Sequence, residues 1–181
     1  MSSDNESSKS IFSLALGGIL IALGWIFVVL SGVFPTGRLF LLLLASLVVA
    51  TSCFEMKFSG AVLVALGISL LSLAYPGPIH AAVFALFAGP LPLLMLVFYR
   101  RQFPVVLQYL INHTLLSLLL VAVLSILGLH NFITNRINVE AGLIWFIILA
   151  VFQILLLVYR YILFNYETFY YRRISPWINR R

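Results

Sequence analysis

Long apolar runs broken by short polar stretches make up most of the chain. The first run covers residues 11–34 and ends at Pro35-Thr36-Gly37-Arg38, a turn signal. The second, 39–54, is short and stops at Glu55-Met56-Lys57. The third, 58–75, is closed by Pro76-Gly77-Pro78. The fourth, 79–99, contains Gly89-Pro90 and Pro92, which predict a kink or break near its middle. Arg100-Arg101-Gln102 separates it from the fifth, 104–129, and a polar loop at 130–138 leads to the sixth, 139–164. None of the runs alternates with the period of two that barrel strands require. In lipid a helix pairs every backbone amide within its own segment. At about 20 residues per crossing, the pattern predicts an all-α integral membrane protein, a bundle of six transmembrane helices joined by short loops.

Composition explains why the runs need lipid. The chain of 181 residues is 63% hydrophobic and 9% charged, whereas soluble domains carry roughly 25% charged residues. Too little polar surface exists to cover a water-soluble globule of this size. Residues 1–10 form a polar stretch with Asp4, Glu6 and Lys9, without the basic n-region and cleavage site of a signal peptide. They are expected to be a disordered tail. The single cysteine, Cys53, excludes an internal disulfide framework and a Cys-rich metal site. It reads as a small buried apolar residue.

Charge orients the bundle. Six spans place both termini on one side, with Lys9, Lys57, Arg100, Arg101, Arg160, Arg172, Arg173, Arg180 and Arg181. Arg38 and Arg136 fall on the other side. Nine against two is a positive-inside bias, so both termini are expected in the cytoplasm of a cell (plasma) membrane protein. Five spans would separate the C-terminal arginines from Lys9. The net charge of +6 therefore marks span ends and not a nucleic-acid stripe. Residues 165–181 combine Tyr166, Phe169, Tyr170, Tyr171 and Trp177 with four arginines. They form a basic, aromatic juxtamembrane tail, expected either to lie on the inner headgroup layer or to act as a plain stop-transfer anchor.

The chain is poor in catalytic combinations. Asp4 is the sole aspartate, and His80, His113 and His130 fall in three different segments. An aspartyl dyad, a His-Glu-x-x-His motif, a phosphate loop and a nucleophile elbow are all missing. The expectation is a protein that is not an enzyme and needs no metal or cofactor.

Polar residues inside spans are costly and therefore informative. The fifth run holds Gln108, Asn112, His113 and Thr114, with Gln108 and Asn112 four apart on one face. Asn112 and His113 lie about 5–7 Å inward of that span's midpoint, and Gln153 about 2 Å from the midpoint of the sixth. They are expected to meet, either as interhelical glue or as part of a substrate cavity. Haem or metal ligation by His113 would need a second deep histidine. On the outer side, Arg38, His80, Arg136 and Glu140 join Trp25 and Trp145, a combination suited to capturing a small polar solute. A wetted span end explains the same residues, and Glu140 also suits a helix start. In the first run Ser13, Gly17 and Gly24 share one face, and Ala15, Gly18 and Ala22 another. Small faces let backbones approach closely. One is expected inside the bundle, and the other is a candidate for docking another membrane protein, with Gly17, Gly18 and Ala22 as candidate contacts.

The stretch PTGRLFLLLLASLVVATSCFEMKFSGAVLVALGISLLSLAYPGPIHAAVFALFAGPLPLLM carries a wider pattern. It has a proline-containing outer loop, a short second span, an inner lysine soon followed by glycine, and a third span ending in Pro-Gly. With a first span SLALGGILIALG, it resembles the S components of energy-coupling-factor vitamin transporters. That resemblance implies a subunit that binds a vitamin or precursor from outside. It would dock through its first span, here Gly18-x-x-x-Ala22, on a coupling membrane subunit served by two ATPases. Arg38 and Arg136 would then favour an anionic solute, and Trp25 and Trp145 would stack on a ring. The alternative is a scaffold of the cell envelope resembling the rod-shape-determining membrane proteins, in which the interior polar groups are glue.

Overall fold

The breaks in the sequence set where each helix starts and stops. In the computed structural model, which describes residues 2–34, 36–126 and 141–178, helix α1 spans Ser2–Val33. Helix α2, Arg38–Glu55, follows Gly37, whose φ of 83° lies in the left-handed region that glycine enters without a Cβ clash. It ends where Met56 turns extended. Helix α3, Phe58–Ala74, stops before Pro76, and Gly77 at φ 122° redirects the chain.

The fourth run breaks where its prolines require. Helix α4, Pro78–Val83, passes into a π-helical turn, Phe84–Ala88, and then into α5, Pro90–Arg100. Neither Pro90 nor Pro92 can donate a backbone bond, and each ring crowds the carbonyl four residues earlier. The chain responds by widening, with the Gly89 amide reaching back to the Phe84 carbonyl at 2.8 Å. Helix α6, Val105–Ile126, and helix α7, Ala141–Phe169, follow. A second π-helical turn, Tyr170–Ile174, leads into the short α8, Ser175–Ile178.

Side-chain contacts fix the relative directions of the rods. Gly17 abuts Met56, Gly67 abuts Ile21, and Gly32 abuts Pro76, so α1 and α3 run parallel. Ser46 bonds Tyr159, Thr51 bonds Tyr166, and Glu55 bonds Tyr170, so α2 and α7 run parallel. Gln108 meets Arg160 while Ser117 meets Gln153, which makes α6 antiparallel to α7. Five stretches are long and apolar enough to cross a membrane: Ile11–Val33, Arg38–Glu55, Pro78–Arg100, Val105–Ser125 and Gly142–Ile174. The 17-residue α3 is shorter; at 1.5 Å per residue it spans about 26 Å, against roughly 30 Å of bilayer core.

The core lies among α1, α2, α3 and the broken rod, where Val28, Val49, Val64, Ile68 and Phe84 are buried. Much of the outer surface is also apolar, with Leu14, Val106 and Phe146 exposed. Water would penalise such a surface over this area, and lipid does not.

Two ends differ from the sequence expectation. Residues 2–10 continue α1 as helix where a disordered tail was expected. Residues 165–169 continue α7, and Tyr170 is buried with its hydroxyl on Glu55, 2.7 Å away. Phe54 packs the rings of Tyr166, Tyr170 and Tyr171 at 5.2–6.1 Å. This part of the juxtamembrane tail is therefore packed on the end of α2, because its aromatic rings find an apolar partner there.

Candidate functional site

The α6–α7 seam gathers the most polar groups in an apolar setting. On α6, Gln108, Asn112 and Leu116 recur every four residues and are all buried. His113 and Ser117 lie beside that face, half-buried. On α7, Gln153 and Arg160 are seven apart and so share a face.

The two helices are tied along this line. His113 donates through Nδ1 to Gln153 Oε1. The Gln153 amide nitrogen donates to the Ser117 hydroxyl at 2.6 Å. One turn toward the α5–α6 loop, Gln108 Nε2 donates to the Phe103 carbonyl at 2.7 Å. Its Oε1 accepts from Arg160 at 3.2 Å. The guanidinium lies 4.2 Å over the Tyr109 ring and 5.1 Å from the centre of the Phe164 ring. Ring quadrupoles offset part of the cost of a cation at this depth.

Asn112 breaks the pattern. It is 1% exposed, and neither its amide oxygen nor its amide nitrogen has a hydrogen-bond partner. A buried polar group left open costs about 1–3 kcal/mol. Native structures hold few of these.

The chain matches no protein-family model, no curated protein and no solved structure. The seam's geometry alone therefore carries the functional reading.

Of the sequence candidates, His113 and Gln153 bond to each other across the seam, and Asn112 is buried next to His113 on α6. The outer residues are not gathered in the same way. Trp25 spends its indole N–H on the Tyr75 carbonyl at 2.8 Å, closing the end of α3. Arg38 is exposed and folds back on the Phe34 carbonyl at 3.4 Å. His80 is half-buried beside Gly32. Trp145 is half-buried near the start of α7. Arg136, Glu140 and the 130–138 loop lie outside the described residues. On α1, Gly17 is buried against Met56 and belongs to the internal packing, whereas Gly18 and Ala22 are exposed. Nothing lies within 4 Å of the position a Gly18 Cβ would take.

Sequence reading overlooked Arg160, taken only as a span-end charge, and Ser117. A signal existed, since Arg160 is seven residues from Gln153 and Ser117 four from His113. It also overlooked the Ser46–Tyr159, Thr51–Tyr166 and Glu55–Tyr170 pairs, foreshadowed by tyrosines at steps of seven and four along α7. The seam holds no nucleophile with an adjacent base. Among the described residues no three His, Cys, Asp or Glu side chains form a metal-ligand group.

Proposed function

We propose that the chain is a non-catalytic membrane subunit that holds a small polar solute at the α6–α7 seam. The observation that carries this is Asn112, buried with its whole hydrogen-bonding capacity open beside a line of satisfied polar groups. A solute that donates to its oxygen and accepts from its nitrogen removes the cost of burying the two atoms unpaired. His113, its neighbour on α6, is bonded to Gln153, and this polar pair with the neighbouring Tyr109 ring favours an anionic or aromatic solute such as a vitamin or precursor.

The subunit crosses the membrane six times with both termini in the cytoplasm. Three relations support this. The α1–α3 and α2–α7 pairs are parallel and the α6–α7 pair is antiparallel, as strict alternation requires. The short α3 carries the chain between Lys57 at one end and Tyr75 at the other. Lys57, Arg100, Arg101, Arg172 and Arg173 then share the cytoplasmic end.

This is the role of the substrate-binding subunit of a multi-component importer, in which a coupling membrane subunit and ATPases supply the energy. The exposed Gly18–Ala22 face offers such a subunit a close approach. The same face equally favours a second reading, an envelope scaffold that binds protein partners and no solute.

Mass spectrometry of small molecules released from purified protein tests the proposal. The importer reading expects a stoichiometric solute that Asn112→Leu fails to retain. An empty wild-type protein that no carboxylate-bearing ring compound stabilises contradicts it.

A further inference from the structure

A second feature stands apart from the Asn112 amide. Between the end of α5 and the last turns of α7 lies an open cleft of about 470 Å³, lined by Tyr99, Arg160, Phe164, Glu167, Thr168 and Tyr171. We propose that this cleft binds a phosphate group, with Arg160 as its anchor. The proposal goes beyond the solute reading and shares with it only the membrane orientation.

Arg160 is the only charged residue between Gly142 and Tyr166. A cation inside an apolar span is costly and marks a site by default. Its surroundings hold it in place without neutralising it. Tyr109 and Phe164 flank the guanidinium, and Gln108 takes one N–H at 3.2 Å. Among the described residues no ion pair neutralises it. Arg160 lines the cleft, and a planar guanidinium fork matches the paired oxygens of a phosphate.

Depth and rim fit the same ligand. The Arg160 guanidinium meets Gln108 in the first turn of α6 and shares the cleft with Tyr99 at the end of α5. In the proposed orientation this open side faces the cytoplasmic leaflet, within reach of its headgroups. Tyr99 and Tyr171, both exposed, line the cleft as well. Thr168 spends its hydroxyl on the Phe164 carbonyl at 3.1 Å. Glu167 is the one acidic group of the lining. Val106 and Leu110 on α6 and Tyr161 on α7 are exposed on the two helices that hold Arg160, an apolar surface that an acyl chain could follow. The phosphate therefore belongs either to a phospholipid or to a soluble phosphate ester.

Titration of delipidated full-length protein in detergent separates these sources. Three probes are compared by melting temperature and native mass spectrometry: phosphatidylglycerol, diacylglycerol with the same chains, and glycerol 3-phosphate. Phosphatidylglycerol is expected to bind and diacylglycerol not. Arg160→Gln should weaken phosphatidylglycerol binding about tenfold or more, Arg101→Gln should leave it unchanged, and Glu167→Gln should tighten it. Glycerol 3-phosphate that displaces the lipid marks recognition of free phosphate, and failure to displace it marks a lipid site; both uphold the phosphate anchor. Equal binding of the two lipids, or Arg160→Gln binding as tightly as wild type, overturns it. If Arg160→Gln yields no folded protein, Glu167→Gln decides: tighter binding upholds the site, and unchanged or weaker binding overturns it.

Discussion

The hydroxyls of Ser46 and Tyr159 are 2.6 Å apart, and only one direction of donation between them is open. Ser46 has a single O–H, and it donates to the Ala88 carbonyl at 2.6 Å. Tyr159 must therefore donate to Ser46. The Ala88 carbonyl needs this partner because the residue four places on is Pro92, which has no N–H to offer. A proline in the broken rod is thus answered by a serine on α2 and a tyrosine on α7.

This chain of causes ranks three substitutions. Ser46→Ala leaves both the Ala88 carbonyl and the Tyr159 hydroxyl open, and should cost about 2 kcal/mol or more. Tyr159→Phe removes only one donor to Ser46 and should cost about 1 kcal/mol. Pro92→Ala restores a local N–H, so Ser46→Ala should cost less in that background. Unfolding free energies in detergent measure the cycle. Additive costs for Ser46→Ala and Pro92→Ala would break the link.

Two glycines of α1 should respond in opposite ways. A Cβ at Gly24 would overlap the Ile68 side chain, so Gly24→Ala forces Ile68 to shift and should destabilise by about 1–3 kcal/mol. Gly18 faces open space, and Gly18→Ala should stabilise by up to about 1 kcal/mol through helix propensity. Gly18→Leu should fold normally yet lose any partner that docks there. Thermal unfolding and co-purification measure the two effects. A destabilised Gly18→Ala would place that face inside the bundle.

The helices were legible in the sequence because run length and Pro-Gly punctuation are local. Gly89-Pro90 and Pro92 announced the break in the fourth run before any contact was known. Depth counting brought His113 toward Gln153, since both sit in helices of regular rise. What stayed hidden was long-range. No local signal links Ser46 to the carbonyl that Pro92 orphans, 42 residues away at Ala88. Arg160 looked like an end charge because charge counting ignores which face a residue takes. Tyr170 looked interfacial because aromatic composition says nothing of Phe54 waiting on α2.

Membrane topology has its own check. In a Cys53→Ala background, single cysteines replacing Thr36 and Gly77 should react with an impermeant maleimide added outside cells. Cysteines replacing Lys57 and Gln102 should react only after permeabilisation. Gly77 and Lys57 reacting from the same side would mean that α3 does not cross, and the count of six would fall.

Asn112→Leu tests the central claim most directly. Without solute, the variant should be more stable than wild type by about 1 kcal/mol or more, because an unpaired buried amide is removed. With the solute that stabilises wild type, the variant's melting temperature should not move. A variant that is stabilised and still responds to solute as wild type does would show that Asn112 is a packing fault and that the seam holds no ligand.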